Sequence, residues 1–458
     1  MEGEKEIMAT GLSAGVARVT ITPPIGIPMI GFAGRGPASG IHDDLTATAL
    51  VLEGPAAQLS GDGLGAGVSR LAVIACDLLF LRSEEIGAVR EAVGRLTDVP
   101  PDHVVIACSH THYGPLTEPG RDEQSPLVEA YLANLVHLLA GAVAMACARV
   151  VPCRSSYGEG KVSIGINRRE RTADGQIILG QNPSGPVDPR VFVLRVDGLD
   201  GRPLAAVLNY ACHPVSLGSQ CTDISADFPG AARRLVEEQT GAMCLFLQGA
   251  TGNINPLLMG WDWTHLARLG LPLGAEAVRI YWSMTHGTEP ASGGVGVASS
   301  QLQLPPLLPS SIEEGRETIA TLEMERERLS AGGNEGALWW AELRLDRARK
   351  GLAALQGGAP VPPVEAEVVA LRLSDGIGMI TAPGEIFTEI GQSVIARSPF
   401  EHTLYATYTN GTIQYVPTRA AYAEGGYEVT HACQVAPDAG EQIEDESIRL
   451  LQSIHNGT

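Results

Sequence analysis

Apolar and polar residues follow one another in patterns that divide the chain into strands and helices. "VARVTIT" (16–22) alternates as a half-buried strand does, and "LTATALVLEG" and "SRLAVIACDLLFL" are apolar runs of strand length. "SEEIGAVREAVGRL" has helical spacing, whereas "HVVIACSH" is the short, continuously apolar run of a strand covered on both faces. Because strands alternate with helices along this half of the chain, the pattern predicts α/β layering.

The middle of the chain repeats this order. "VFVLRVDG" and "PLAAVLNYACHP" predict paired strands, and a helix is expected after Pro229, ended by Gly241. "AMCLFLQGATGNINP" predicts a strand that runs into a glycine-rich loop. Polar clusters therefore follow the ends of several predicted strands, and ligand sites of α/β sheets gather at the carboxyl ends of their strands.

Residues 301–365 differ from the rest, because two charged amphipathic segments stand between proline-rich linkers. We interpret them as a helical hairpin inserted into, or packed on, the main domain, and we favour packing over ligand contact as the role of Trp339 and Trp340. The fold class we predict is α/β: a mixed-sheet, layered α/β catalytic domain with an inserted helical hairpin. Residues 1–458 are expected to form this one domain, without a C-terminal β-sandwich.

Composition and charge exclude some functions. The 458 residues carry a formal net charge of −20, which repels the phosphate backbone of nucleic acids. The start of the chain lacks the apolar core of a signal peptide, and we expect a cytoplasmic protein. The most apolar stretch, residues 131–151, is interrupted by polar residues and indicates a buried helix rather than a transmembrane segment. The sequence leaves the oligomeric state open.

Histidines stand at the ends of two predicted strands. His110 and His112 follow an apolar run, and side chains two apart on an extended segment share one face, which suits a metal ion. His213 ends another strand, and Asp223 and Asp227 follow it closely. Each has an alternative explanation without a metal. His110 and His112 could be a hydrogen-bonded strand end, His213 a buried histidine bonded to backbone, and Asp227 a cap on the following helix.

A hydrolytic zinc site commonly combines histidines with one carboxylate and leaves a position for water. Glu385 is a candidate for this carboxylate, since it follows a predicted strand and a Pro-Gly turn. Taken alone, Glu385 is also explained as a first-turn glutamate favoured by a helix dipole. The residues by themselves therefore leave the metal site as one of two interpretations.

Several short motifs, in order, resemble those of the neutral ceramidases, zinc amidohydrolases that cleave the N-acyl bond of ceramide. "GVARVTITPPIGIPMIGFAGRG" and "GIHDDLTATALVLE" are similar to the N-terminal block of that family. "CSHTHYGP", "NYACHPVS", "ISADFPG", "QGATGNINP", "APGEIF" and "TNGTIQYVPTRAAYAEGGYE" follow in the family's order. The resemblance covers most of the chain.

The resemblance implies four ligands to Zn²⁺: His110, His213, Glu385 and the phenol oxygen of Tyr415. It also implies catalytic roles for His112, Tyr415 and Arg168, with the neighbouring Arg169 as the other arginine that could match the family's.

In the chemistry that the resemblance implies, zinc lowers the pKa of a bound water, which attacks the amide carbonyl. His112 and Tyr415 can donate to the oxyanion that forms, and His112 can also give a proton to the leaving amine. We leave open which of these His112 does, and whether Asp43 or Asp227 supports the site.

The chain departs from the family where a serine is expected, because Asn255 stands there. A serine nucleophile at that position is therefore excluded. The expected function is a zinc-dependent hydrolase that cleaves an N-acyl amide, either ceramide or a related N-acyl lipid, by attack of metal-bound water. The alternatives are hydrolysis of a smaller soluble amide or ester on the same scaffold, and a binding protein of this fold without catalysis.

Overall fold

The computed structural model describes residues 11–56, 68–118, 125–285, 294–332 and 335–455. Its strands are β1 (Ser13–Thr20), β2 (Gly40–Ile41), β3 (Thr46–Pro55), β4 (Val68–Cys76), β5 (Val104–Cys108), β6 (Val151–Lys161), β7 (Gly165–Arg171), β8 (Ile177–Asn182), β9 (Arg190–Gly198), β10 (Pro203–Tyr210), β11 (Asp223–Ile224), β12 (Met243–Gln248), β13 (Ile254–Pro256), β14 (Gly296–Leu304), β15 (Val364–Ser374), β16 (Ile377–Thr381), β17 (Glu385–Ile386), β18 (His402–Ala406) and β19 (Tyr415–Val416). Its helices are α1 (Ser83–Leu96), α2 (Pro126–Cys147), α3 (Asp227–Thr240), α4 (Thr264–Ser283), α5 (Ile312–Gly332), α6 (Glu335–Leu355), α7 (Thr388–Arg397), α8 (Arg419–Glu424), α9 (Tyr427–Thr430) and α10 (Ala439–His455).

Two mixed sheets form the centre of the fold. The larger has eight strands in the order β12-β10-β9-β6-β1-β3-β4-β5, and the smaller has four in the order β14-β15-β16-β18. In the larger sheet β10–β12 and β4–β5 are parallel pairs, while β16–β18 is the parallel pair of the smaller one. The mixed-sheet α/β class predicted from the sequence is confirmed.

The two sheets stack face to face, and helices cover their outer faces. The apolar layer between the sheets combines residues of both, such as Leu50 and Val73 with Leu371 and Leu404. Helices α1 and α2 cover one half of the larger sheet and α3 and α4 the other, whereas α7 and α10 cover the smaller sheet. The result is four layers, helix-sheet-sheet-helix, which explains why the central strands are apolar on both faces.

The helical hairpin lies between two neighbouring strands. Helices α5 and α6 pack on each other and are joined by the Arg344–Glu325 and Arg349–Glu323 ion pairs. They leave the sheet after β14 and return at β15, and these two strands pair antiparallel from Gly296↔Arg372 to Leu304↔Val364. The hairpin is therefore an insertion that begins and ends at one sheet position.

Helix α2 is the most apolar helix that the structure describes, and by length and composition it could cross a membrane. In the fold it packs on α1, β1 and β3, with Leu135, Leu139 and Val143 fully or almost fully buried. These contacts are those of a core helix.

Helix α4 is an element that the apolar pattern did not predict. Its Pro272 and its two glycines, Gly270 and Gly274, weaken the helical signal. The glycines allow a close approach to α3, since a Cβ atom at Gly270 would lie 2.7 Å from the carbonyl oxygen of Phe228 and 2.6 Å from the Cβ of Ala231. Close packing against α3, rather than local propensity, stabilises α4.

Two glycine-to-alanine changes test this packing. Gly270→Ala should lower the free energy of unfolding by about 1–3 kcal/mol, because the added methyl overpacks the α3–α4 contact. Gly141→Ala in α2 is the matched control: nothing lies within 4 Å of its added Cβ. There the change should raise the free energy of unfolding by up to about 1 kcal/mol through helix propensity. Urea denaturation measures both, and a stabilising Gly270→Ala would contradict the packing.

Candidate metal centre

A turn, rather than an extended strand, delivers His110 and His112. Strand β5 ends at Cys108, and His110 has a left-handed backbone (φ 65°), so the shared-face argument made for an extended segment is wrong. The main-chain N–H of His110 donates to the oxygen of Leu78 (2.9 Å) and that of His112 to the oxygen of Pro214 (3.2 Å). The second bond ties the His112 loop to the residue that follows His213.

His213 reaches the same point because the large sheet closes on itself. Strands β5 and β12 are its two edges in the pairing order, yet they contact each other. The segment after β18 bridges them: Cys108 N–H donates to the oxygen of Tyr408 (3.0 Å), and Thr407 N–H donates to the oxygen of Gln248 (2.8 Å). The end of β5 and the end of β10 are thereby neighbours.

The short parallel pair β17–β19 places Glu385 directly opposite Tyr415. The backbone of β17 is held on both sides. Glu385 N–H donates to the oxygen of Gln414, and Gly252 N–H donates to the oxygen of Ile386, each at 2.8 Å. Helix α7 begins only at Thr388, three residues beyond Glu385. Glu385 therefore lies in a strand, and the alternative of a first-turn helix glutamate is excluded.

The polar atoms of these residues converge on one point. His213 Nε2 lies 3.0 Å and His110 Nε2 3.5 Å from Glu385 Oε2, and the Nε2 atoms of His110 and His112 are 3.3 Å apart. The ligand atoms of the three histidines lie within 4.8 Å of one another, and they are the one such group among the described residues. His110 and His213 are buried, whereas His112 and Glu385 are partly exposed.

The hydrogen bonds at Nδ1 decide which ring nitrogens carry protons. Nδ1 of His110 faces the carbonyl oxygen of Leu79 (2.9 Å), Nδ1 of His112 faces that of Gly31 (3.1 Å), and Nδ1 of His213 faces that of Thr251 (2.7 Å). A carbonyl only accepts, so each Nδ1 donates and each neutral ring keeps a bare lone pair at Nε2. Three lone pairs and a carboxylate then face one another without a proton between them.

Protonation of the histidine rings would place protons between these groups, but burial disfavours it. The pKa of His213 is lowered to about 4, first by burial and then by the Arg168 guanidinium. The pKa of His112 is held well below its ordinary value by burial and by the neighbouring histidines. At neutral pH this arrangement therefore calls for a bound cation.

The donor set fits zinc. Imidazole nitrogens with one carboxylate suit Zn²⁺, and backbone carbonyls commonly hold the second nitrogen of a metal-bound histidine. The Nε2 atoms of His110 and His213 both lie near Glu385 Oε2, whereas Nε2 of His112 lies near that of His110. The structure thus brings together three of the four residues predicted as ligands.

Tyr415 and Arg168 form the adjoining wall. The guanidinium carbon of Arg168 lies 5.1 Å from the ring centre of Tyr415, while that of Arg169 lies over Phe387 instead. Burial raises the pKa of Tyr415 well above its ordinary value, against the opposing effect of Arg168. Of the two candidate arginines, Arg168 is the one that faces Tyr415.

Glu428 was not predicted, and it is fully buried beneath the two arginines. It accepts from Arg168 Nε and from Arg169 Nη1, both at 2.8 Å, while Arg168 Nη1 donates to Asn255 Oδ1 at 3.3 Å. Arg168 Nη2 is buried and has no hydrogen-bond partner among the described residues. The arginine therefore keeps one free donor near the candidate centre.

Tyr408 is a second residue that the sequence analysis missed. Its ring stacks on His110 with centres 3.9 Å apart, and its backbone is left-handed (φ 56°). It lies in the bridging segment 407–410, and nothing in the local pattern indicates that role. Only the pairing of β5 with this segment places Tyr408 at the centre.

Asp43 and Asp227 support loops rather than the histidines themselves. Asp227 is fully buried with φ 54° and accepts from the Ser216 and Phe228 N–H groups at 3.0 and 2.6 Å. Asp43 accepts from the Ser225 hydroxyl (2.8 Å). Burial raises the pKa of Asp227 to about 6. Both carboxylates therefore fix the chain that follows His213.

The fold and these side chains define an α/β protein with a histidine-lined candidate metal centre. Its fold is that of the neutral ceramidases. The structure of neutral ceramidase from Pseudomonas aeruginosa superposes with a TM-score of 0.68 at 20% identity, covering 97% of this chain and 75% of that one. A ceramidase complexed with C2 gives a TM-score of 0.68 at 18% identity, covering 96% and 75%. No protein-family model matches the chain, and no curated protein matches it significantly.

Metal content tests the centre directly. Purified protein should contain about one zinc per chain. His110→Ala and His213→Ala should both lose it, because each removes an Nε2 ligand. His402→Ala is the matched control, since His402 starts β18 and stacks on Tyr157 away from the centre. Mass spectrometry of the metal after dialysis measures the result, and full zinc in both ligand variants would contradict the assignment.

Proposed function

We propose that this chain is a zinc-dependent amidohydrolase of the neutral ceramidase type, which cleaves an N-acyl amide such as ceramide or a related N-acyl lipid. One observation carries the proposal: three imidazole lone pairs and one carboxylate converge, with the Nδ1 protons already committed to carbonyl oxygens. The shared fold with solved ceramidases supports it.

His110, His213 and Glu385 would hold the metal, with Tyr415 as a fourth ligand through its phenol oxygen. Bound zinc supplies a Lewis acid that polarises a carbonyl oxygen and lowers the pKa of water. The remaining work falls to residues of this chain that handle protons and charge around the reacting amide.

His112 handles the proton. Its Nδ1 donates to Gly31 O, which leaves the lone pair of Nε2 free to take up a proton. His112 therefore accepts a proton from the attacking water before it can give one to the leaving amine. In this sequence of events it is a general base first and a general acid second.

Arg168 balances the charge that develops on the carbonyl oxygen, while Tyr415 is proposed as a metal ligand. Burial alone would lower the pKa of Arg168, but the Glu428 and Glu385 carboxylates outweigh it and keep the guanidinium charged. The unpartnered Nη2 of Arg168 is available as a donor. Preorganised donors of this kind stabilise a tetrahedral oxyanion.

A panel of fluorogenic N-acyl amides, with acyl chains from acetyl to palmitoyl, tests the function. We expect zinc-dependent hydrolysis that increases with acyl-chain length and stops when a chelator removes the metal. A preference for short acyl groups would favour the smaller, soluble amide as the substrate. Hydrolysis of no member of the panel would favour a binding protein of this fold.

Two variants separate proton handling from metal binding. His112→Ala should keep about one zinc per chain and lose activity by about 10²- to 10⁴-fold, because a general base is removed. Glu385→Gln should lose zinc and activity together, because it removes a charged ligand. If His112→Ala loses zinc while Glu385→Gln keeps it, the ligand set is the three histidines and the role of His112 proposed here is wrong.

A further inference from the structure

One face of helix α6 lies against the candidate metal centre. Trp340, Arg344 and Arg347 are spaced as neighbours on one helical face. Trp340 packs against the apolar cluster that contains Tyr415. Arg344 is close enough to Tyr427 to affect its pKa, and the Tyr427 ring contacts that of Tyr415 with centres 5.8 Å apart. The inserted hairpin therefore forms part of the wall around the centre.

Arg347 links two loops that carry residues of the centre. Its Nη1 donates to the side-chain oxygen of Gln414 (3.0 Å), and the main-chain oxygen of Gln414 accepts from Glu385 N–H. Glu118, on the loop that follows His112, is near enough to interact electrostatically with the guanidinium. Arg347 thus stands between the His112 loop and the Glu385–Tyr415 strand pair.

The charge of Arg347 has no close counter-ion. In the described part of the chain, no carboxylate oxygen lies within 4.0 Å of its guanidinium. Its helix neighbours differ: Arg344 pairs with Glu325 at 3.1 Å, Arg349 with Glu323 at 2.7 Å, and Lys350 with Asp346 at 2.6 Å. Partial burial lowers the pKa of Arg347, which shows that its positive charge is poorly solvated.

Arg35, a second arginine near the centre, also has no close counter-ion among the described residues. Arg35 donates to the carbonyl oxygens of Ile30 and Cys221, and none of the carboxylates described lies within 4.0 Å of it. Its guanidinium carbon lies 5.2 Å from the ring centre of Phe32, and the Phe32 ring contacts that of His112 with centres 5.1 Å apart, so its positive charge lies near the centre. Arg35 and Arg347 thus both lack a carboxylate within 4.0 Å among the described residues, although the chain as a whole has a net charge of −20.

We propose that the substrate of this centre is an N-acyl amide with an anionic group, a carboxylate or a phosphate, and that this group binds Arg347. The inference rests on the proposed hydrolysis and narrows its substrate class. A guanidinium with free donors binds either anion through paired, charge-assisted hydrogen bonds. The anion would supply the counter-ion that the described residues do not.

A matched pair of amides tests this inference. N-dodecanoylserine and N-dodecanoylserinol differ only in a carboxylate against a hydroxymethyl group. A second pair, N-dodecanoylphosphoethanolamine and N-dodecanoylethanolamine, tests the phosphate. The ratio of kcat/KM within each pair is measured for the zinc-loaded wild type and for Arg347→Gln and Arg347→Lys. Arg349→Gln is the control on the same helix, because Arg349 is already paired with Glu323 and exposed.

We expect the wild type to prefer the anionic member of at least one pair by about tenfold or more, as for hydrogen bonds to a charged group. The pair that shows the preference identifies the anion. Arg347→Gln should bring that ratio close to one, Arg347→Lys should retain part of it, and Arg349→Gln should leave it unchanged. High salt should reduce it.

Three outcomes would overturn the inference, and they differ. If the wild type hydrolyses the neutral member of each pair as well as or better than the anionic member, the substrate needs no anion, while the proposed hydrolysis would stand. A parallel loss on both members in Arg347→Gln, with an unchanged ratio, would show that Arg347 only holds the hairpin to the Gln414 loop. Hydrolysis of none of the four amides would overturn the proposed function and this inference with it.

Discussion

The structure depends on one constraint at its centre: three imidazole rings donate from Nδ1 to backbone carbonyls, and two of them, His110 and His213, direct bare lone pairs towards the Glu385 carboxylate. The carbonyls come from Leu79, Gly31 and Thr251, in three separate loops, so the backbone itself selects the tautomer of each ring. Burial opposes protonation of His213, whose Nε2 lies 3.0 Å from the carboxylate, because it lowers the pKa of that ring to about 4. A cation removes the conflict, and its binding energy would then hold the three loops in place.

The sheet geometry makes this convergence possible. In the pairing order the strands that lead to His110 and His213 are far apart, and only the closure of the sheet by the segment 407–410 makes them neighbours. Gln248 seals the junction, since its side-chain nitrogen donates to the oxygens of both Ser109 and Cys212. The left-handed backbone of His110 then turns its ring inwards. Because such strained residues persist only where their surroundings determine them, the closed sheet is part of the site.

The sequence predicted what depends on local pattern and on ordered motifs. The apolar run before Ser109 identified β5, and Gly241 ends α3 in the left-handed conformation expected of a helix-ending glycine. The motifs named His110, His213 and Glu385, which the structure brings together. What local pattern could not supply are contacts between distant segments: the stacking of Tyr408 on His110, the Glu428 carboxylate under Arg168 and Arg169, and helix α4, whose glycines weaken its propensity but permit its packing on α3. The site was therefore predictable as a set of residues, but not as a geometry.

The inserted hairpin is attached to the fold separately from the histidines of the candidate centre. It leaves and rejoins the smaller sheet at paired strands, so its removal or replacement would preserve the β14–β15 register. Its two helices are tied to each other by their own ion pairs, and Trp340 and Arg347 are the side chains through which it reaches the centre. The histidines instead follow β5 and β10 of the larger sheet, and Glu385 lies in the separate β17–β19 pair. The proposed metal ligands and the proposed anion-binding arginine thus lie on separate parts of the fold, and a change of substrate would need only a change in the hairpin and the loops it contacts.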